Sequence, residues 1–90
     1  MNPIERLHAN MPEFMKFLGV EIISATRDRI EASVIAGQAY SNTNGVLMGG
    51  LLMTFADYLG GHATILNLPV GVRTTTVESK TNFFRPALLG

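Results

Sequence analysis

The stretch that decides the fold is Ser41-Asn42-Thr43-Asn44-Gly45-Val46-Leu47-Met48-Gly49-Gly50, followed without a break by the apolar run Leu51 to Leu66. The opening five residues read as a polar turn. The run after Gly49-Gly50 has no proline, is rich in good helix formers, and is closed by Asn67 and Pro69, so a helix is expected across it. Its apolar residues do not keep to one stripe, which predicts burial on most sides. A stretch of roughly this length can also cross a bilayer. Four glycines, Asp57 near the centre and no basic cluster at either end argue against a membrane span. The expected arrangement is a central helix wrapped by a sheet.

Two features of this stretch carry chemistry. Gly49-Gly50 falls where the helix begins, where unpaired N–H groups and the positive end of the helix dipole face outward. Glycine there lets a ligand come close to the backbone, which suits a developing oxyanion; a tight turn or close helix–sheet packing is the equal alternative. Asp57 is a lone carboxylate in apolar surroundings, costly unless paired and therefore a candidate functional group. Gly49 and Asp57 are eight residues apart, roughly 12 Å along one helix. One reacting carbon cannot touch both. If both serve one reaction, the acid comes from a second copy of the helix across a two-fold axis, and the site needs a dimer.

Ninety residues allow one small domain, read here as a single unit over residues 1–90. The chain is 47% apolar and only 16% charged, which excludes disorder. Its formal net charge is zero, so nucleic acid is not an expected partner. With no cysteine there is no disulfide, thiol nucleophile or cysteine metal site, and a cytoplasmic location fits. No metal is expected. Residues Met1 to Leu18 carry Glu5, Arg6, His8, Glu13 and Lys16 and do not read as a signal peptide.

Upstream, Ile4, Leu7, Met11, Phe14, Met15 and Leu18 recur at helical spacing, with a break expected between Asn10 and Pro12 and an end at Gly19. Val20 to Thr26 and Arg29 to Ala36 read as two strands around a tight turn at Arg27-Asp28, with Ile30, Ala32, Val34 and Ala36 on the drier face. Downstream of the long helix, Val72 to Phe84 reads as a strand, since Thr74, Thr75, Thr76 and Val77 favour one strongly. Three strands are few for so apolar a helix. Further strands or another chain are expected to complete the sheet.

Taken in order, these segments resemble the hotdog-fold acyl-CoA thioesterases, most closely their phenylacetate-pathway (PaaI-like) branch. The resemblance rests on Leu18-Gly19-Val20, on Asn42 to Gly50, on Leu51 to Gly61 around Asp57, and on Thr76 to Gly90 with Phe83-Phe84-Arg85-Pro86-Ala87. It implies an α+β hotdog fold, with a long helix wrapped by a curved antiparallel sheet, and a homodimer or dimer of dimers with interfacial sites. It also implies strands beyond Gly90, so the chain reads as truncated at its C-terminus.

By the same resemblance, Gly49 is the glycine whose N–H polarises the thioester carbonyl, and Asn42 orients the thioester or the water. Asp57 is the general base or nucleophile, and Thr76 a hydroxyl residue that helps hold the water. Arg85 and Arg73 are basic residues suited to CoA phosphates. CoA is then part of the substrate, and no separate cofactor is implied. The family's histidine before the two glycines is Met48 here, a lost polar contact that His62 is not expected to replace. The function implied is hydrolysis of an acyl-CoA to free acid and CoA. The alternatives are an impaired acyl-CoA-binding module and a structural hotdog dimerisation domain.

Overall fold

A computed structural model describes residues 2–90. Helix α1 (Pro3–Ala9) and helix α2 (Glu13–Leu18) form the amino-terminal arm. The Asn2 side chain caps α1 by accepting from the Glu5 N–H at 2.8 Å. The break between them falls at Asn10 to Pro12, where proline withholds a helical donor. Gly19 ends α2 in the left-handed region at φ 78°. Leu7, Met15 and Leu18 are buried along the apolar stripe, whereas Phe14, a member of the same stripe by spacing, is largely exposed.

Strands β1 (Glu21–Ala25) and β2 (Ile30–Ser33) pair antiparallel. The register runs from Glu21 opposite Ser33 to Ala25 opposite Ile30, with a bulge that leaves Ile23 as the extra residue. Both strands are shorter than the runs Val20 to Thr26 and Arg29 to Ala36 suggest. The alternation beyond Ser33 persists, with Val34 and Ala36 partly buried and Ile35 exposed, but without a ladder. A 3-10 turn (Gln38–Tyr40) then leads to the bridge between Ser41 and Leu47.

Helix α3 (Gly49–Ile65) follows. Leu51 and Tyr58 bury against Met15, Leu18, Val20 and Leu47, and Ile22, Ala32, Val34 and Ala36 close the other side of the core. The helix is less enclosed than its composition predicts, because Met53, Ala56, Asp57 and Gly60 are exposed. Asn67 Nδ2 donates to Arg27 O at 2.8 Å and ties the end of α3 to the β1–β2 turn.

The expected strand at Val72 to Phe84 does not form. Among the described residues this segment carries no ladder, and it is exposed apart from the half-buried Thr81. Its threonines and valine favour a pleated surface, but strand structure requires a neighbouring backbone to bond. The chain re-engages further on, where Leu47 N donates to Ala87 O at 2.9 Å and Gly90 N donates to Ala36 O at 3.0 Å. None of the helices among the described residues is long and apolar enough to cross a membrane.

Candidate active site on the central helix

The amino-terminal end of α3 is the first half of the candidate site. Met48 occupies the N-cap and contributes no side-chain hydrogen bond there. Neither the Gly49 nor the Gly50 N–H meets an acceptor among the described residues, while Leu51 N bonds back to Met48 O at 3.0 Å. Two backbone donors at the positive end of a long helix are thus left to a ligand. Gly49 lines a recess of about 360 Å³ together with Asn42, Leu52, Phe83 and Arg85. The absence of a side chain at Gly49 also has a packing reason. A Cβ there would stand 3.1 Å from Phe83 Cζ, so the ring lies over the glycine.

The Asn42 side chain is half committed. Its Oδ1 accepts from Asn44 N at 2.8 Å and from Val46 N at 3.4 Å, while Gly45 N donates to Asn42 O at 3.0 Å. This Asx-type turn fixes Asn42 beside the helix start, with Gly45 at φ 75°. With the oxygen occupied, the Nδ2 donors are what Asn42 offers a ligand.

The second half lies midway along α3. Asp57 is exposed, and its Oδ1 accepts a hydrogen bond from the Thr76 hydroxyl. The two residues line a recess of about 480 Å³ that also includes Tyr58, His62, Glu78 and Ser79. Tyr58 is 6% exposed, and its hydroxyl has no hydrogen-bond partner among the described residues. Burial pushes its pKa above the ordinary 10.0. The His62 ring packs on Tyr58 with centroids 4.3 Å apart. His62 Nδ1 lies 3.0 Å from Tyr58 O; a carbonyl only accepts, so Nδ1 carries the proton and a neutral ring keeps its lone pair on Nε2. No hydrogen bond joins His62 to Asp57 among the described residues.

The six residues singled out from the sequence therefore fall into three places. Asn42, Gly49 and Arg85 share the recess at the start of α3. Asp57 and Thr76 share the recess at its middle. Arg73 lines a third hollow with Arg6, Asn10 and His62, which adjoins the Asp57 recess through His62 and Ile65. The sequence reading missed Phe83 as the cover over Gly49, and it missed Glu78. The alternation of the 72–84 run carries both residues but gives no hint of which way either turns.

Comparison with solved structures defines the architecture. The phenylacetic acid degradation-related protein of Ralstonia eutropha JMP134 matches with a TM-score of 0.84 at 24% identity, covering 99% of this chain and 71% of its own. The E. coli PaaI protein from the phenylacetic acid degradation operon matches at 0.82 and 21%, covering 97% and 61%. Thioesterase superfamily member 2 from Mus musculus matches at 0.77 and 23%, covering 99% and 64%. The chain has the hotdog fold.

The thioesterase superfamily model matches residues 44–90, more than half of the sequence and all of α3, and the chain belongs to that family. A Saccharolobus solfataricus protein named "Putative esterase" is 30% identical over 87 residues; the alignment takes in 97% of this chain and 61% of that relative's length.

Proposed function

We propose that the protein hydrolyses an acyl-CoA thioester to the free acid and CoA, at sites shared between two copies of the chain. The observation that carries this is the division of labour along α3. Unpaired amides with Asn42 and Arg85 stand at its start, and a carboxylate steadied by Thr76 stands at its middle. Each recess holds half of what acyl transfer requires. Helix rise keeps the halves of one chain roughly 12 Å apart. A second α3 packed antiparallel brings the Asp57 of one copy to the Gly49 of the other.

In this reading the thioester oxygen accepts from the Gly49 N–H and from Asn42 Nδ2, where its negative charge grows as the carbonyl carbon is attacked. Asp57 takes a proton from water as the hydroxide adds to that carbon. The C–S bond then breaks, and the CoA thiolate leaves and is protonated. Direct attack by Asp57, giving an anhydride that water opens, is the other route. Oxygen from labelled water enters the Asp57 carboxylate in a single turnover by the second route only. Arg85 meets CoA phosphates, with Arg73 as a more distant contact. CoA is part of the substrate in this reading, no separate cofactor is proposed, and a cytoplasmic location fits a chain without cysteine.

The deciding experiment mixes two inactive variants. Asp57→Ala lacks the acid, and Gly49→Pro, combined with Phe83→Leu to clear the 3.1 Å contact its Cβ would make, lacks the amide at a first-turn position whose backbone accepts proline. A randomly mixed dimer population is half heterodimer, and each heterodimer keeps one intact site of two. Recovery of about a quarter of the native rate is expected. An active Asp57→Ala variant, or no recovery on mixing, rejects the shared site.

Met48 favours a second reading, an acyl-CoA-binding module without turnover, because it caps α3 with no polar group. Binding of an acyl-CoA panel without hydrolysis of any member identifies that case.

A further inference from the structure

A hollow of about 380 Å³ lies between α1 and the chain that leaves α3, lined by Arg6, Asn10, His62 and Arg73 around the apolar Leu7 and Val70. No acidic side chain lines it. The ion pairs among the described residues are Lys16 with Glu13 and Arg29 with Glu31, so Arg6 and Arg73 meet no carboxylate there. Arg6 has a local reason for its place, the last turn of α1, where the helix dipole favours a cation. Arg73 has none, because it belongs to no helix. It follows a turn closed by Val72 N donating to Pro69 O at 3.1 Å, with Gly71 at φ 88°. The N–H groups of Gly71 and Arg73 find no acceptor among the described residues. Asn10 Nδ2 donates one hydrogen to Arg6 O at 2.8 Å and keeps its second for a ligand.

Two guanidinium groups in one concave, partly apolar space repel each other and focus a positive field, and a bound anion relieves both. A monocarboxylate fills only one planar fork. A phosphate dianion has charge and acceptor oxygens for two arginines, with oxygens to spare for amide N–H groups. The hollow is larger than a single oxyanion, and Leu7 and Val70 leave it an apolar wall for an organic group. We propose that it is a binding site for the phosphate monoester of a small organic molecule, held by Arg6 and Arg73 and separate from the acyl-transfer recesses. It shares no lining residue with the recess of Asn42, Gly49 and Arg85, and all of its groups come from one chain. Neither a dimer nor the thioesterase reading is needed for it. A ligand held there ties α1 to the exposed segment that follows α3.

The test uses inorganic phosphate as the probe, on the whole chain, with chloride at matched ionic strength as the control. Phosphate at about ten times its dissociation constant is expected to raise Tm by roughly 5–10 °C over chloride. Arg73 is exposed, so Arg73→Gln keeps the fold, and it is expected to weaken phosphate binding in calorimetric titration by at least about tenfold. Arg6→Gln is expected to do the same. Arg27→Gln, at an exposed arginine outside the hollow, is expected to change nothing. No rise in Tm beyond chloride overturns the proposal, and so does an equal loss of binding in Arg27→Gln and Arg73→Gln, which means diffuse charge. CoA carries a phosphate monoester of its own, which dephospho-CoA lacks. Equal affinity for the two upholds a separate site. Tighter binding of CoA that Arg73→Gln erases overturns it, because the hollow then serves the substrate.

Discussion

The Thr76 hydroxyl donates its hydrogen bond to Oδ1 of Asp57, linking the middle of α3 to the unladdered segment that follows it. Within one chain this contact holds the carboxylate directly, and Oδ2 remains for a water. We propose that Thr76 positions the Asp57 carboxylate, beside the role the family resemblance implies for it, a hydroxyl residue that helps hold the water. A carboxylate on an exposed helical turn otherwise samples several rotamers, and each departure from the productive one lowers the rate.

Replacing Thr76 with Val, nearly the same shape without the hydroxyl, is expected to lower kcat about tenfold with KM for the acyl-CoA little changed. Thr76→Ser restores most of the loss because it restores the donor. Steady-state kinetics on the three proteins decide it. A Val variant with native kcat means that the contact does not position the base.

Asn42 separates a structural role from a chemical one. Its Oδ1 holds the turn through Asn44 N and Val46 N, and its Nδ2 is the group offered to a ligand. Asn42→Asp keeps the acceptor and loses the donor. Its melting temperature should stay close to native while kcat/KM falls by about 100-fold, the scale of one oxyanion donor. Asn42→Ala loses both and is expected to cost roughly 1 kcal/mol of stability as well. Equal melting temperatures for Asp and Ala would remove the turn from Asn42's duties.

Much of this molecule is legible in its sequence because the signals are local. Pro12 breaks the amino-terminal helix, Gly19 ends it, and the Asn42 to Gly45 turn delivers the chain to α3. The segment around Thr76 was not. Its threonines report a liking for a pleated surface, while a ladder depends on a backbone elsewhere, which no local pattern describes. Thr76 and Asp57 are nineteen positions apart, a spacing with no periodic meaning, and only the family resemblance put them in one site. Phe83 over Gly49 is likewise a long-range contact; the structure supplies the packing reason for the glycine, and the chemical reason is the one proposed above.

Two helical glycines should answer oppositely to alanine. Nothing lies within 4 Å of a Cβ built at Gly60, so Gly60→Ala is expected to stabilise α3 by roughly 0.5–1 kcal/mol through backbone entropy. At Gly49 the same methyl meets the Phe83 ring at 3.1 Å. Gly49→Ala should show no gain, or a loss of about 1 kcal/mol, until Phe83 is also shortened to Leu. Thermal unfolding of the two single variants and of Gly49→Ala with Phe83→Leu measures the coupling. A stabilised Gly49→Ala single variant contradicts the packing of Phe83 on the helix.

Tyr58 gives a prediction on the alkaline side. Its buried hydroxyl has no partner among the described residues, so Tyr58→Phe removes an unsatisfied group and should be neutral or stabilising by up to about 1 kcal/mol near neutral pH. Burial raises the phenol pKa in the folded state above the unfolded value near 10.0. The folded protein then holds a proton that the unfolded chain releases. That contribution is complete below pH 10.0, declines as pH rises past it, and is lost through the raised folded pKa. Native protein should therefore lose melting temperature above pH 10.0 faster than Tyr58→Phe, the gap widening with pH. Parallel curves for the two proteins would mean that the Tyr58 hydroxyl reaches water.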